Sequence, residues 1–298
     1  MKLLIIQARP GIGDMCVFSP AIHEIGKHNK NYKIDIITKK RTCSREIFLE
    51  DNQINQVFFL EDLNNSNKQL MQLIKKNQYS KAFIFHYGAR YPIICKLAGV
   101  KKIFFYGIVK KNENIVEKYK QQTRLWLQKQ NLKFFYKIKR NKKIKKNKNI
   151  VLGIGGSGPT KKWSLNNYIN LIKKISAKKK YNYILAGGLF EKSFAKTIIK
   201  QFPKIKIKSL CEFNIKKSIN IVDGSKIYIG NDTGFMHICA GLDILSFGLF
   251  GDTPANYASY TKKIKPITPR GIKKVGHGSL AIDKITPDQV FNTIKKFI

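Results

Sequence analysis

Ile227-Tyr228-Ile229-Gly230-Asn231-Asp232-Thr233-Gly234-Phe235-Met236-His237, followed by Leu249-Phe250-Gly251-Asp252-Thr253-Pro254, carries the strongest structural signal in this chain. Ile227 to Ile229 read as a short buried strand, Gly230 to Gly234 is turn chemistry, and Phe235 to Leu242 has helical spacing. Thr233 and Gly234 therefore fall at a helix N-terminus. Free backbone N–H groups and the positive end of the helix dipole meet there, and both favour an anion of phosphate size.

The same alternation recurs on either side. Leu3 to Ile6 is an all-apolar run, as expected of a parallel strand covered on both faces; Arg9-Pro10-Gly11-Ile12-Gly13-Asp14 breaks it, and a helix is expected over Met15 to His28. Further strands are expected at Lys33 to Thr38, Gln56 to Leu60, Ala82 to Phe85 and Lys102 to Tyr106, with a helix over Lys68 to Asn77. Between Lys137 and Lys148 the chain becomes too polar to form a core. That lysine-rich run is the expected linker, either simply solvated or in contact with a membrane.

After it a second series starts with Ile150 to Ile154, a Gly/Ser loop, a helix over Leu165 to Ala177 and a strand at Tyr183 to Ala186. Units follow around Ile205 to Lys208, Lys226 to Ile229 and Ile244 to Phe250. Thr286 is placed to cap a closing helix with Pro287 at its first position, running to Phe297. The expectation is an α/β protein of two domains, 1–148 and 149–298, with mostly parallel sheets and a ligand cleft between their carboxyl edges.

The chain has 298 residues, long enough for two cores, with 43% hydrophobic and 11% aromatic residues, which argues against disorder. Its formal net charge is +39. Lysine supplies nearly all of that excess while asparagine and isoleucine are also abundant, as codon bias in an AT-rich genome would produce. Specific base and phosphate forks recruit arginine, and no zinc-finger, RNP or basic-zipper pattern occurs, so specific nucleic-acid binding is not expected. Diffuse attraction to an anionic leaflet is, because each lysine near one contributes about 1 kcal/mol.

The five cysteines, Cys16, Cys43, Cys95, Cys211 and Cys239, are widely spaced and include no C-x-x-C pair. This favours a reducing compartment and predicts no metal site. Leu3 to Ile6 is too short for a signal peptide, and no run of about 18 apolar residues occurs. The expected location is the cytoplasm, with peripheral contact to the inner face of the inner membrane as a further possibility raised by the lysines.

Four loops could carry chemistry. Gly11-Ile12-Gly13-Asp14 invites a dinucleotide reading, but Cys16 stands where G-x-G-x-x-G needs glycine, and Thr38, Lys39 and Lys40 stand where a carboxylate is needed. Asp14 is then either a helix cap or a general base. Gly153-Ile154-Gly155-Gly156-Ser157-Gly158-Pro159-Thr160-Lys161-Lys162-Trp163-Ser164 is not a Walker A loop; it is either a glycine turn or an anion loop in which Ser157, Thr160 and Lys161 offer donors and a cation. In Gly187-Gly188-Leu189-Phe190-Glu191, Glu191 either accepts ribose hydroxyls or favours its own helix N-terminus. His237 is either a ligand donor or a satisfied core histidine.

Taken together, these residues resemble glycosyltransferase family nine, the heptosyltransferases of lipopolysaccharide assembly. Gly13-Asp14 with Pro20-Ala21 looks like the family's G-D-x(5)-P-A element, Lys161-Lys162-Trp163 like its K-x-W element, and Asp232-Thr233-Gly234-Phe235-Met236-His237 through Phe250-Gly251-Asp252-Thr253 like D-T-G-x-x-H…F-G-x-T. Ala281-Ile282-Asp283 and Thr286-Pro287 resemble its C-terminal end, while Ser164 stands where the family often has proline. The resemblance implies the GT-B fold of two facing Rossmann-like domains and inverting, metal-independent transfer of a sugar, commonly heptose from ADP-heptose, to a hydroxyl of a lipid-linked glycan, without a cofactor. By position it implies Asp14 as base on an acceptor-side loop with Gly11 and Gly13. Lys161 would serve donor phosphate, Glu191 the ribose, Asp232 the donor sugar, and the N–H groups of Thr233 and Gly234 the diphosphate. A non-catalytic nucleotide-sugar or anionic-glycan binder of the same fold is the alternative. Residues 61 to 130 match only in general α/β character.

Overall fold

Eleven strands are ordered among the described residues, 1–107, 114–142, 144–156, 158–272 and 274–298, of the computed structural model. The first five are β1 (Lys2–Ile6), β2 (Lys33–Thr38), β3 (Ile54–Phe59), β4 (Lys81–Ile84) and β5 (Lys102–Phe105). The other six are β6 (Asn149–Gly153), β7 (Asn182–Ala186), β8 (Ile207–Ser209), β9 (Ile227–Asn231), β10 (Leu245–Leu249) and β11 (Ile264–Ile267). They form two sheets, ordered β3-β2-β1-β4-β5 and β11-β10-β9-β6-β7-β8, with every pairing parallel. Parallel neighbours need crossovers, and ten α-helices serve among the described residues. They are α1 (Ile12–Lys27), α2 (Ser44–Ile47), α3 (Asn67–Asn77), α4 (Arg90–Leu97), α5 (Ile115–Leu127), α6 (Leu165–Ser176), α7 (Lys192–Gln201), α8 (Ile215–Val222), α9 (Gly234–Gly241) and α10 (Pro287–Ile294).

The chain divides into two compact units, Met1–Asn141 and Lys142–Ile298, so the division falls inside the lysine-rich run. That run is not uniformly solvated. Ile138 is buried, and Arg140 Nη1 pairs with Glu50 Oε1 at 2.6 Å while the Asn141 N–H donates to the other Glu50 oxygen.

Each unit has its own core. In the first, Leu4, Ile6, Ile37, Ala82 and Ile84 line one sheet face and meet Leu70 and Ile74 of α3. The second places Tyr168, Leu171, Ile172 and Ile175 of α6, one helical stripe, against Ile150, Leu152 and Ile229. Ser164 caps α6 by accepting the Asn167 N–H at 3.4 Å, and Trp163, fully buried, donates Nε1–H to the Ile285 carbonyl at 2.7 Å. Thr286 Oγ1 caps α10 from Gln289 N–H at 3.1 Å, as its sequence implies, although the helix ends at Ile294 rather than Phe297.

Two boundaries differ from expectation where the site begins. β9 continues through Gly230 and Asn231, which were expected in the turn. Gly230 stays in the strand at φ +151°, and a Cβ there would lie 2.5 Å from the backbone N and O of Gly153, so glycine is what lets β9 and β6 pair in register. α1 starts at Ile12 rather than Met15, which puts Gly13 in its first turn and Asp14 at its third helical position.

Candidate active site

In the second sheet the strand order reverses between β6 and β9, the position where open α/β sheets leave a crevice outside the carboxyl ends of their strands. The loops leaving these two strands carry most of the residues singled out above. Thr233 is the N-cap of α9, extended at φ −143°, and the N–H groups of Gly234 and Phe235 precede the first helical bond, donated by Met236 to Thr233 O at 3.0 Å. Tyr228 OH lies 3.4 Å from Thr233 Oγ1 and donates to Asn231 O at 2.7 Å.

Asn231 ties the two loops together. Its side chain is fully buried; Nδ2 donates to Gly155 O at 2.9 Å and Ile154 O at 3.3 Å, and Oδ1 accepts the Trp163 N–H at 3.0 Å. Reading the residue as turn chemistry missed this role, and the signal available was its place directly before Asp232-Thr233-Gly234.

Thr160 donates Oγ1–H to Asp252 Oδ2 at 2.7 Å, and the Leu280 N–H donates to Asp252 Oδ1 at 3.2 Å. These hydrogen bonds, with the nearby positive charge of Lys161, hold the Asp252 carboxyl below the usual carboxylate range. Thr253 Oγ1 is buried without a hydrogen-bond partner among the described residues. Ser157 lies outside the described residues.

Glu191 satisfies the capping alternative, since its Oε2 accepts the Gly188 N–H at 2.8 Å. Its other oxygen holds Lys162 Nζ at 2.6 Å, so the lysine bonded to this carboxylate is Lys162, which the sequence reading had not assigned a role. His237 is buried and stacks on Tyr260. Its Nδ1 is 2.6 Å from Tyr260 OH and its Nε2 is 3.5 Å from Asp232 Oδ1. If the tyrosine donates to Nδ1, the neutral ring keeps its proton on Nε2, toward Asp232. The histidine is thus a core residue on one side and a positioner of Asp232 on the other.

In the first unit the order reverses between β1 and β4. Gly11 is the N-cap of α1, and its N–H donates to Asp14 Oδ2 at 2.9 Å, while Arg9 Nε lies 2.6 Å from Oδ1. Asp14 therefore does cap its helix, yet its side chain keeps 25% exposure. At the end of β4, burial and the charges of Arg90, Lys39 and Arg9 push the His86 imidazole below its ordinary range. This edge suits a negatively charged group.

Burial pushes the Cys16 and Cys95 thiols up to about 12, so neither supplies a thiolate near neutrality. Among the described residues, no group of three or more His, Cys, Asp or Glu is placed to hold a metal ion.

The sequence profile of glycosyltransferase family 9 (heptosyltransferase) matches residues 88–273. A lipooligosaccharide heptosyltransferase 2 of Campylobacter jejuni is 28% identical over 255 residues, covering 81% of this chain and 79% of the relative. The structure is similar to that of the Escherichia coli ADP-heptose lipopolysaccharide heptosyltransferase II, with a TM-score of 0.78 at 18% identity, covering 100% of this chain and 98% of that one. It is likewise similar to an E. coli heptosyltransferase with ADP-2-deoxy-2-fluoro heptose, at TM-score 0.76 and 16% identity with both chains covered in full.

Proposed function

Because this chain belongs to glycosyltransferase family 9 and folds as two Rossmann-like α/β units of the GT-B class, we propose that it transfers heptose from ADP-heptose to a hydroxyl of a lipid-linked lipopolysaccharide-type glycan, with inversion. The observation that carries the reading is the Asn231 staple. It holds the α9 N-terminus and the Gly155 loop together at one switch point, with Lys161, Lys162 and Glu191 on neighbouring turns. The ADP-linked donor is supported by the ligand of the similar E. coli enzyme.

In the proposed reaction the acceptor oxygen forms a bond to the anomeric carbon from the face opposite the leaving group. The bond from that carbon to the diphosphate oxygen breaks, and the acceptor proton passes to Asp14. Negative charge grows on the departing diphosphate, where the N–H groups at Thr233 and Gly234 and the Lys161 ammonium meet it without having to reorganise. Glu191, fixed by Lys162 and Gly188, accepts ribose hydroxyls, and Asp232, held beside His237, contacts the donor sugar. Thr160 acts indirectly, through Asp252. The positive charges of Arg9, Lys39 and Arg90 around His86 suit an acceptor with an acidic group.

Asp14→Asn tests the assignment. Asparagine can still accept the Gly11 N–H but is a far weaker base, so transfer should fall by about two to four orders of magnitude while ADP affinity stays within about twofold, as read by thermal shift and calorimetry. Equal loss of both would make Asp14 structural. Saturating ADP, at about 100 times its Kd, should add about 2.7 kcal/mol of stability, and failure of ADP, UDP and GDP alike to stabilise the chain would sink the donor-site reading.

A further inference from the structure

Seven lysines gather at the amino end of the second sheet, opposite the edge that carries the donor loops. Lys146, Lys148, Lys179 and Lys226 surround a pocket of about 400 Å³ where β6, β7, β9 and β10 begin, and its floor is made by Tyr181, Leu245 and Phe297. A second pocket shares Lys179 and adds Lys178, Lys295 and Lys296 around Phe291. All seven are exposed, no Asp or Glu lines either pocket, and no ion pair of theirs occurs among the described residues. Lys174 on the adjoining helix shows the ordinary arrangement instead, paired with Asp288 at 2.7 Å.

The pockets combine two chemistries. Lys179 Nζ lies 5.8 Å from the centre of the Tyr181 ring and Lys296 Nζ 5.2 Å from that of Phe297, so these cations sit beside aromatic surface. A solvated charged face needs no apolar floor, and an apolar groove for a peptide helix needs no ring of unopposed cations. Phosphate esters attached to hydrocarbon satisfy both, with the ammonium groups taking the headgroup oxygens and the aromatic rings lying at the headgroup level.

We propose that this face docks on a leaflet of anionic phospholipid, with phosphate headgroups among Lys146, Lys148, Lys179 and Lys226 and the Phe297 ring at the interface. The choice of a leaflet over a soluble polyanion rests on the lipid-linked acceptor of the proposed function; the cationic, aromatic-floored pockets stand without it. Five-residue strands separate this edge from the donor loops by about 16 Å, so the face can be occupied without blocking the donor site.

Sedimentation of the full chain with vesicles tests the proposal. Binding is expected to phosphatidylglycerol–phosphatidylethanolamine vesicles, not to phosphatidylcholine, and to weaken with salt. Each lysine near such a surface is worth about fivefold, so the combined Lys146→Gln, Lys148→Gln, Lys179→Gln and Lys226→Gln variant should lose on the order of several hundred-fold. A control with the same charge change at Lys196, Lys208, Lys216 and Lys217, exposed residues away from the amino edge, should lose less than about tenfold, as expected for long-range attraction alone, and Phe297→Ser should reduce the binding that persists in high salt. Thermal melts of each variant establish that it folds.

Equal losses in both sets would mean that binding follows net charge, and would overturn the proposal. So would indifference to lipid charge, or capture of single-stranded RNA through these lysines while vesicles are ignored. The two readings fail separately: a chain that binds vesicles yet transfers nothing refutes the reaction, and one that glycosylates a detergent-dispersed acceptor yet ignores vesicles refutes the docking face.

Discussion

Removing the Asn231 side chain should uncouple the loops that leave β6 and β9. Asn231→Ala deletes three hydrogen bonds at a site with no solvent exposure and strips a partner from the buried Trp163 N–H and from the Gly155 and Ile154 carbonyls. A buried polar group left without its partner costs about 1–3 kcal/mol. The costly losses here are at the Trp163 N–H, bonded at 3.0 Å, and the Gly155 oxygen, bonded at 2.9 Å; the 3.3 Å contact to Ile154 contributes less. Water entering the vacated space would recover part of the loss, so the net destabilisation should be about 3–4 kcal/mol. For a unit of this size each kcal/mol lowers Tm by about 2–4 °C, giving about 6–16 °C in the transition of the second unit. ADP affinity, measured by calorimetry well below that transition, should fall at least about tenfold, because the N–H groups of α9 and the glycine loop no longer hold one another. Asn231→Asp is the sharper companion: it keeps the volume but turns a carboxylate oxygen toward the Gly155 and Ile154 carbonyls, and should cost more than alanine. A transition within about 2 °C of the unaltered chain, together with unchanged ADP affinity, would refute the staple.

Gly230→Ala should cost about 3–5 kcal/mol by urea unfolding, since its Cβ meets Gly153 backbone that cannot move aside and its φ is positive; Gly278→Ala, at φ +85° but in open space, should cost only about 1 kcal/mol, and similar costs for the two would mean that the close approach of β6 and β9 is unimportant. Asp51 is held below its ordinary range because hydrogen bonding and charge from His23, with help from the Gln53 N–H and Lys139, outweigh its burial. Its stabilisation is therefore present above the unfolded carboxylate value, about 4, and is lost as pH falls through the lower folded value. Asp51→Asn should lower stability at neutrality and flatten that acid limb in denaturant titrations; an acid limb as steep as before would assign acid unfolding to other carboxylates.

Strands were the most legible part of this chain because buried parallel strands are short apolar runs, and Leu3–Ile6 and Tyr183–Ala186 announce themselves in that way. β11 escaped notice because Ile264-Lys265-Pro266-Ile267 holds a proline and two exposed residues, tolerable only at a sheet edge, and an edge is a fact of topology. The loops that could hold an anion were visible from glycine and from their place between strand and helix. Their internal wiring was not. Nothing local distinguishes Lys162 from Lys161, yet only the former pairs with Glu191, and Asn231 looks like any turn asparagine until Trp163, 68 residues away, is placed beside it. Pairings of that range depend on which strand neighbours which, and the reversal between β6 and β9 creates them.

The Asn231 staple also bears on how the catalytic cycle ends. On the proposed reaction, a cradle whose N–H groups are fixed by buried hydrogen bonds, rather than assembled around the ligand, holds the departed diphosphate, with its added negative charge, more tightly than the donor it came from. The spent nucleotide should accordingly be a strong competitive inhibitor against the donor, and its escape, rather than bond making, should set the turnover rate. In a cell, flux through such an enzyme would track the ratio of activated sugar to free nucleoside diphosphate more closely than the concentration of either.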